Sequence, residues 1–255
     1  MLCASFGKQT ADAPIKIIFK QKNTKIKVDA LGNIYEISEM QISKYNNLGV
    51  FLKSFSSKQH GVINFVDVSN PLKILVYYKE FQQILFLDNQ LSISSNVIAL
   101  ENLGYEQTEL VCTSSNNSFW LFDKQNNSLL RFSSDSKLLV KTGNLKTLLG
   151  ANINPNFMLE HNGYLYLNAG NEEGIMLFDI YGTFYKAIAI TQLSEFWVVN
   201  DDVFYFKQKL LHQYQPLTFN TIQKQFADTS IKQVYWHNNQ FYKVYPDSLI
   251  ITPEL

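Results

Sequence analysis

The sequence predicts an all-β, six-bladed propeller with four antiparallel strands in each blade. Three observations predict it. A short apolar strand, an Asn/Asp/Gly turn and a second strand recur six times along the chain, which is the signature of a β-hairpin. A third-strand motif then repeats with starts 42, 45, 46 and 36 residues apart, the period of a propeller blade. The 255 residues also include 19 Phe, 14 Tyr and 3 Trp, a composition that favours strands over helices.

Taken in chain order, residues 1–13 are expected to be a flexible N-terminus or the end of a signal peptide that begins upstream. Their uncharged start, Met1-Leu-Cys-Ala-Ser-Phe-Gly7, is too short to be a whole signal peptide. Residues 15–20 alternate Ile15, Ile17 and Phe19 with Lys16, Ile18 and Lys20, the pattern of a half-buried edge strand. Pro14 suits the first position of such a strand, where no ladder hydrogen bond is needed.

Six units follow over residues 22–255. Their hairpin turns fall at Gly32-Asn33, Asn70-Pro71, Asn116-Asn117, Asn162-Gly163, Asp201-Asp202 and Asn238-Asn239. The third strands align without gaps as Ile42-Ser-Lys-Tyr-Asn46, Ile84-Leu-Phe-Leu-Asp88, Leu129-Leu-Arg-Phe-Ser133, Ile175-Met-Leu-Phe-Asp179 and Leu211-His-Gln-Tyr-Gln215. Three residues after each come Gly49, Leu91, Ser136, Gly182 and Thr218, which mark the turn into a fourth strand. Residues 101–108 and 145–155 read as loops or single turns. The sixth unit has only three strands before the chain stops, so residues 15–20 are predicted to supply its fourth and to close the ring. A β-sandwich would also have many short strands, but not this repeat. The whole chain is expected to be one domain, and six turn signals favour six blades over seven.

Composition excludes several classes of function. Lys and Arg (22) balance Asp and Glu (22), so the basic footprint that duplex nucleic acid needs is missing. Arg131 is the only arginine, which weakens phosphate recognition further. The charged fraction is low at 17%, against 46% hydrophobic residues, and a chain of this size buries roughly three quarters of its unfolded surface. Disorder is therefore excluded. No run of 18 apolar residues is present, so no helix spans a membrane.

Local catalytic and metal motifs are absent. The two cysteines, Cys3 and Cys112, make no CxxC or Cys/His pair, and Cys112 reads as a buried thiol in an apolar strand. His60, His161, His212 and His237 share no spacing and are expected as exposed turn or strand-end residues. Asp88 and Asp179 are expected to fix tight turns by accepting backbone amides, as are their equivalents Asn46, Ser133 and Gln215. Glu172-Glu173 and Asp201-Asp202 read as solvated turns. Trp120, Trp197 and Trp236 read as packing residues. The lysines at 16, 20, 22, 25 and 27 read as an edge that discourages aggregation, with a docking patch for an acidic partner as the alternative. The first strands offer Asp29, Asp67, Glu109, Glu160 and Glu195 toward the axis, in mixed register. No cofactor, zinc or calcium is expected.

The stretch Ile175-Met-Leu-Phe-Asp-Ile-Tyr-Gly-Thr-Phe184 resembles the repeat of six-bladed propellers of the NHL and TolB-like type, which include enzymes, scaffolds and secretion proteins. A narrower resemblance rests on Phe65-Val-Asp-Val-Ser-Asn-Pro-Leu-Lys-Ile-Leu-Val-Tyr-Tyr-Lys-Glu-Phe-Gln-Gln-Ile-Leu-Phe-Leu-Asp88. It is similar to a family of small envelope proteins of gliding bacteria, the plug subunit of the type 9 secretion translocon. That resemblance implies a periplasmic protein that occludes the channel from the inside, given an upstream signal peptide, and it assigns no individual functional residue. The sequence-level expectation is thus a non-enzymatic protein-interaction propeller. Its partner would be an envelope secretion channel, and the membrane would be reached only through that partner. The alternatives are a sugar- or peptide-binding propeller and a lactonase- or lyase-like enzyme.

Overall fold

A computed structural model describes residues 14–19, 24–170 and 172–253. The expectations for residues 1–13, including Cys3, and for Lys20 and Lys22 lie outside the described residues. Six four-stranded antiparallel sheets form the ring. Blade 1 comprises Lys25–Val28, Ile34–Ile37, Gln41–Tyr45 and Phe51–Ser56; blade 2 comprises Phe65–Asp67, Ile74–Tyr78, Gln83–Leu87 and Ile98–Ala99. Blade 3 runs through Thr108–Thr113, Phe119–Asp123, Ser128–Phe132 and Leu138–Lys141, and blade 4 through Phe157–His161, Tyr164–Asn168, Ile175–Asp179 and Phe184–Ile188. Blade 5 runs through Trp197–Val199, Asp202–Lys207, Leu210–Gln215 and Asn220–Gln225.

Blade 6 takes three strands from the end of the chain, Gln233–His237, Gln240–Val244 and Ser248–Pro253, and its outer strand, Ile15–Ile18, from the beginning. The closing pair is antiparallel, with Ile15 opposite Ile251 and Ile17 opposite Leu249. Ile17 is buried while Ile18 is 59% exposed, the alternation expected of a half-buried strand. Gly49, in the third turn of blade 1, lies against this strand at φ +75°, and a Cβ there would sit 2.8 Å from Ile15 Cγ2. Both the left-handed backbone and the close approach require glycine.

The core is not one mass but six clusters, each lying between two neighbouring blades and the last joining blade 6 to blade 1. A middle strand serves two of them at once. Ile74, Val76 and Tyr78 face blade 1, while Leu75 and Tyr77 face blade 3. All five residues of that strand are buried, which is why it reads as a continuous apolar run and not as an alternation.

Four of the five third-strand polar residues behave as expected, Ser133 Oγ accepting from the Lys137 amide, while Gln215 accepts from the Thr218 hydroxyl and not from a backbone amide. Asp88 Oδ1 accepts from the amides of Gln90 and Ser92, Asp179 Oδ1 from those of Tyr181 and Thr183, and Asn46 Oδ1 from those of Leu48 and Val50. Two turns sit one residue away from the sequence reading. In blade 5 the hairpin turns through Asn200 and Asp201, because Asp202 already pairs with Val199. The left-handed residue of that blade's third turn is Phe219 and not Thr218, since Gln215 pairs with Asn220 and leaves a four-residue loop where blades 1, 3 and 4 have five. The two interblade segments carry a short 3-10 turn at Leu100–Leu103 and one helical turn at Leu145–Leu149. Among the described residues no helix is long and apolar enough to cross a membrane.

Candidate functional site

The inner strand of every blade faces the axis, and side chains from across the ring meet there. Phe65 of blade 2 and Phe157 of blade 4 contact edge to face, with centroids 6.1 Å apart. Lys27 of blade 1 reaches the opposite side, its ammonium 5.3 Å from the Phe157 ring centroid. That ammonium is ion-paired with Glu195, which precedes the first strand of blade 5. The Tyr235 hydroxyl of blade 6 lies 2.6 Å from Glu195 Oε1 and 2.9 Å from the Ile26 carbonyl. These five side chains form a waist across the axis.

Electrostatics holds the waist in one charge state. Burial pushes the Glu195 carboxyl up, but the Lys27 ammonium, its hydrogen bond and the Tyr235 hydroxyl outweigh this and keep the group below the ordinary glutamate range. Burial, and then the Glu195 charge, push the Tyr235 hydroxyl far above the usual tyrosine value, so it stays a donor.

The waist divides the axis into two cavities. The larger, about 620 Å³, opens at the end where the inner strands begin, and its wall includes Lys25, Lys79, Glu109, Asn154, Lys232 and Gln233. The smaller, about 270 Å³, opens at the other end and is lined chiefly by apolar and aromatic groups such as Val68, Phe196, Trp197 and Trp236.

The five acidic residues expected near the axis separate into two groups. Asp29, Asp67 and Glu160 border the smaller cavity, and each is engaged in holding loops or blades together. Asp29 accepts from the amides of Leu31 and Asn33 and from the Tyr35 hydroxyl. Asp67 accepts from the amides of Ser69 and Thr113 and from the Thr113 hydroxyl, tying blade 2 to blade 3. Glu160 accepts from Ser114 Oγ, the Ser115 amide and Trp120 Nε1, tying blade 4 to blade 3. Arg131 completes that joint from within blade 3, donating to Ser114 Oγ at 2.7 Å and to Ser115 Oγ at 2.9 Å. Glu109 and Glu195 border the larger cavity and pair with lysines instead.

Other expectations fall differently. Lys25 and Lys27 do not mark an outer edge: they lie on the inner strand of blade 1, and Lys27 reaches the axis. Only Lys16 of the described run lies on the outer strand. His161 and His237 do stand at strand ends, with Nε2 facing the carbonyls of Asn200 and Ala30 in the next blade. His212 is not an exposed turn residue; it is buried in the third strand of blade 5 and stacked on Tyr205 at 4.5 Å. Burial lowers its pKa, an effect opposed by the backbone of Lys207. Trp120 is fully buried, whereas Trp197 and Trp236 line the smaller cavity. Cys112 is buried, and burial pushes its thiol well above the usual range. Among the described residues no three His, Cys, Asp or Glu side chains converge as metal ligands.

No family model matches this chain, and no curated protein matches it. Solved structures do. Virginiamycin B lyase from Staphylococcus aureus superposes with a TM-score of 0.60 at 10% identity, over 93% of this chain and 82% of the lyase. A protein of unknown function from Bacteroides thetaiotaomicron gives a TM-score of 0.63 at 9% identity, over 96% of this chain and 73% of that one. A chain of the mitotic checkpoint complex gives 0.57 at 10% identity, over 92% and 76%. The likeness is one of fold. It places the chain among β-propellers, which serve both as enzymes and as assembly modules, and it transfers no catalytic residue at these identities.

Proposed function

We propose that this chain is a non-enzymatic protein-interaction propeller of the cell envelope, which seats on the periplasmic end of a type 9 secretion channel and closes it by its bulk. The observation that carries this reading is the waist. A disc that occludes a pore must not offer a path through its own axis, and Lys27, Phe65, Phe157, Glu195 and Tyr235 meet across that path. Two further features support it. Three of the five acids that could have supplied axial chemistry are engaged as acceptors between or within blades. The resemblance of residues 65–88 to the plug family supplies the partner class. Release would follow when substrate or another subunit competes for the same face.

A tagged chain produced in its own cell tests this. After crosslinking and gentle detergent extraction, an outer-membrane channel protein should co-purify in near-equal amount, and the chain should be reached by protease only once the outer membrane is opened. Recovery as a free cytoplasmic species would overturn the proposal. The larger cavity favours a second reading, a propeller that binds a small ligand or peptide. The lyase likeness keeps an enzymatic reading as a third, which turnover of quinupristin, the compound held by an inactive variant of that lyase, by the purified chain would support.

A further inference from the structure

The larger axial cavity carries lysines that the fold does not pair, although the charge of Lys25 adds to the field that keeps Glu195 ionised. Its wall sets four lysines, Lys25, Lys27, Lys79 and Lys232, against two carboxylates, Glu109 and Glu195. Lys27 and Lys79 are committed to those carboxylates, and Lys124 brings Glu109 a second ammonium. Lys25 and Lys232 are exposed, and their ammonium groups make no hydrogen bond or ion pair with a described residue. The chain as a whole is neutral, so this surplus is local. The side-chain amides of Asn64 and Asn154, likewise without a hydrogen bond to a described residue, stand on the same wall.

The floor is of a different kind. Phe65 and Phe157 close it, and the Tyr77 and Tyr235 hydroxyls beside them already donate within the protein, to the Thr108 carbonyl and toward Glu195. Lys25 stands two residues before Lys27 on the inner strand of blade 1, which sets the rim about 7 Å above the waist. A volume near 620 Å³ falls within the range of roughly 300–1,000 Å³ typical of small-molecule sites.

We propose that this cavity binds a small organic carboxylate bearing an apolar or aromatic group, with the ring on Phe65 and Phe157 and the carboxylate between Lys25 and Lys232. The same chemistry is offered by a free acid and by the C-terminal carboxylate of a peptide ending in an aromatic residue. The site is independent of the docking role, because the opening belongs to the ring whether or not a channel is attached.

The test is calorimetric titration of the full chain with 3-phenylpropionate, its neutral amide 3-phenylpropanamide, and acetyl-Gly-Gly-Phe with a free or an amidated C-terminus. Saturable binding of the acid near one per chain is expected, with a dissociation constant on the order of 1 mM or tighter. The amide should bind much more weakly. A free-carboxylate peptide that binds as well as the acid identifies a peptide end as the source, and one that fails identifies a free acid. K25Q/K232Q, at two exposed positions that leave the waist intact, should weaken the acid about tenfold while melting like the parent. As a second variant, F157L should weaken it through the floor. No saturation by either carboxylate probe, equal binding of acid and amide, or unchanged affinity in K25Q/K232Q would overturn the proposal, and none of these outcomes bears on whether the chain docks on a channel.

Discussion

Replacing Ile17 by Ala should destabilise the protein sharply, and replacing its neighbour Ile18 should not. The closing strand pairs with Ser248–Pro253 in a register that turns Ile17 into the cluster between blades 6 and 1, with 5% of its surface exposed, and leaves Ile18 at 59%. Truncating a buried isoleucine to Ala costs about 2–5 kcal/mol, while an exposed one changes stability by about 0.5 kcal/mol or less. At roughly 2–4 °C of melting temperature per kcal/mol for a chain of this size, I17A should melt on the order of 10 °C below the parent and I18A within about 2 °C of it. Gly49→Ala should act in the same direction as I17A, because its Cβ would push on Ile15. Deleting residues 1–20 should do at least as much as I17A and also promote aggregation through the opened edge of the third strand of blade 6. A chain lacking only residues 1–10 is the control, since it keeps every residue of the closing strand. Circular dichroism melts of the five variants and the parent decide the matter. If I18A melts as low as I17A, the register is wrong; if the 1–20 deletion melts like the parent, the ring is not closed by this strand.

Other perturbations give equally direct outcomes. Glu195→Gln removes a carboxylate whose pKa is depressed in the folded state, so its contribution is present at neutral pH and lost as pH falls through that value. Denaturant titrations should show E195Q less stable than the parent at about pH 7, and the gap should narrow as the pH falls through the folded-state pKa, below the ordinary glutamate range. Arg131→Met should cost about 3 kcal/mol or more, because Ser114 and Ser115 lose the donor that completes the joint between blades 3 and 4. Asp179→Ala should cost about 1 kcal/mol, since two turn amides lose their acceptor. Elemental analysis of dialysed protein should find no stoichiometric zinc or calcium, and one tightly held ion per chain would reopen a metal-dependent activity.

Much of the architecture was legible in the sequence because it is periodic. In blades 1 to 5 the third-strand motif opens with an aliphatic residue and ends in a polar residue such as Asp88 or Asp179, and that local chemistry marks where the fourth strand begins. The closing strand was legible from a deficit, because the sixth unit runs out of chain and residues 15–18 carry the alternation needed to complete it. The axis was not legible. The ion pair between Lys27 and Glu195 joins residues 168 positions apart, and nothing local distinguishes Lys27 from the outward Lys16. Both are single lysines between isoleucines or valine; only the order of strands within the blade makes one axial and the other peripheral. The roles of Glu160 and Arg131 were hidden because their shared partner Ser114 lies 46 and 17 residues away, and only the packing of blade 4 against blade 3 brings the three together.

Blocking of a channel is a measurable property. Any outer-membrane channel recovered with the chain in the crosslinking experiment would be reconstituted in a planar bilayer and its conductance recorded with and without the propeller on the proposed periplasmic side. A propeller closed at its waist should abolish most of the open-channel current when bound, and removing it should restore the current. Equal conductance with the propeller bound and absent would contradict a plugging role.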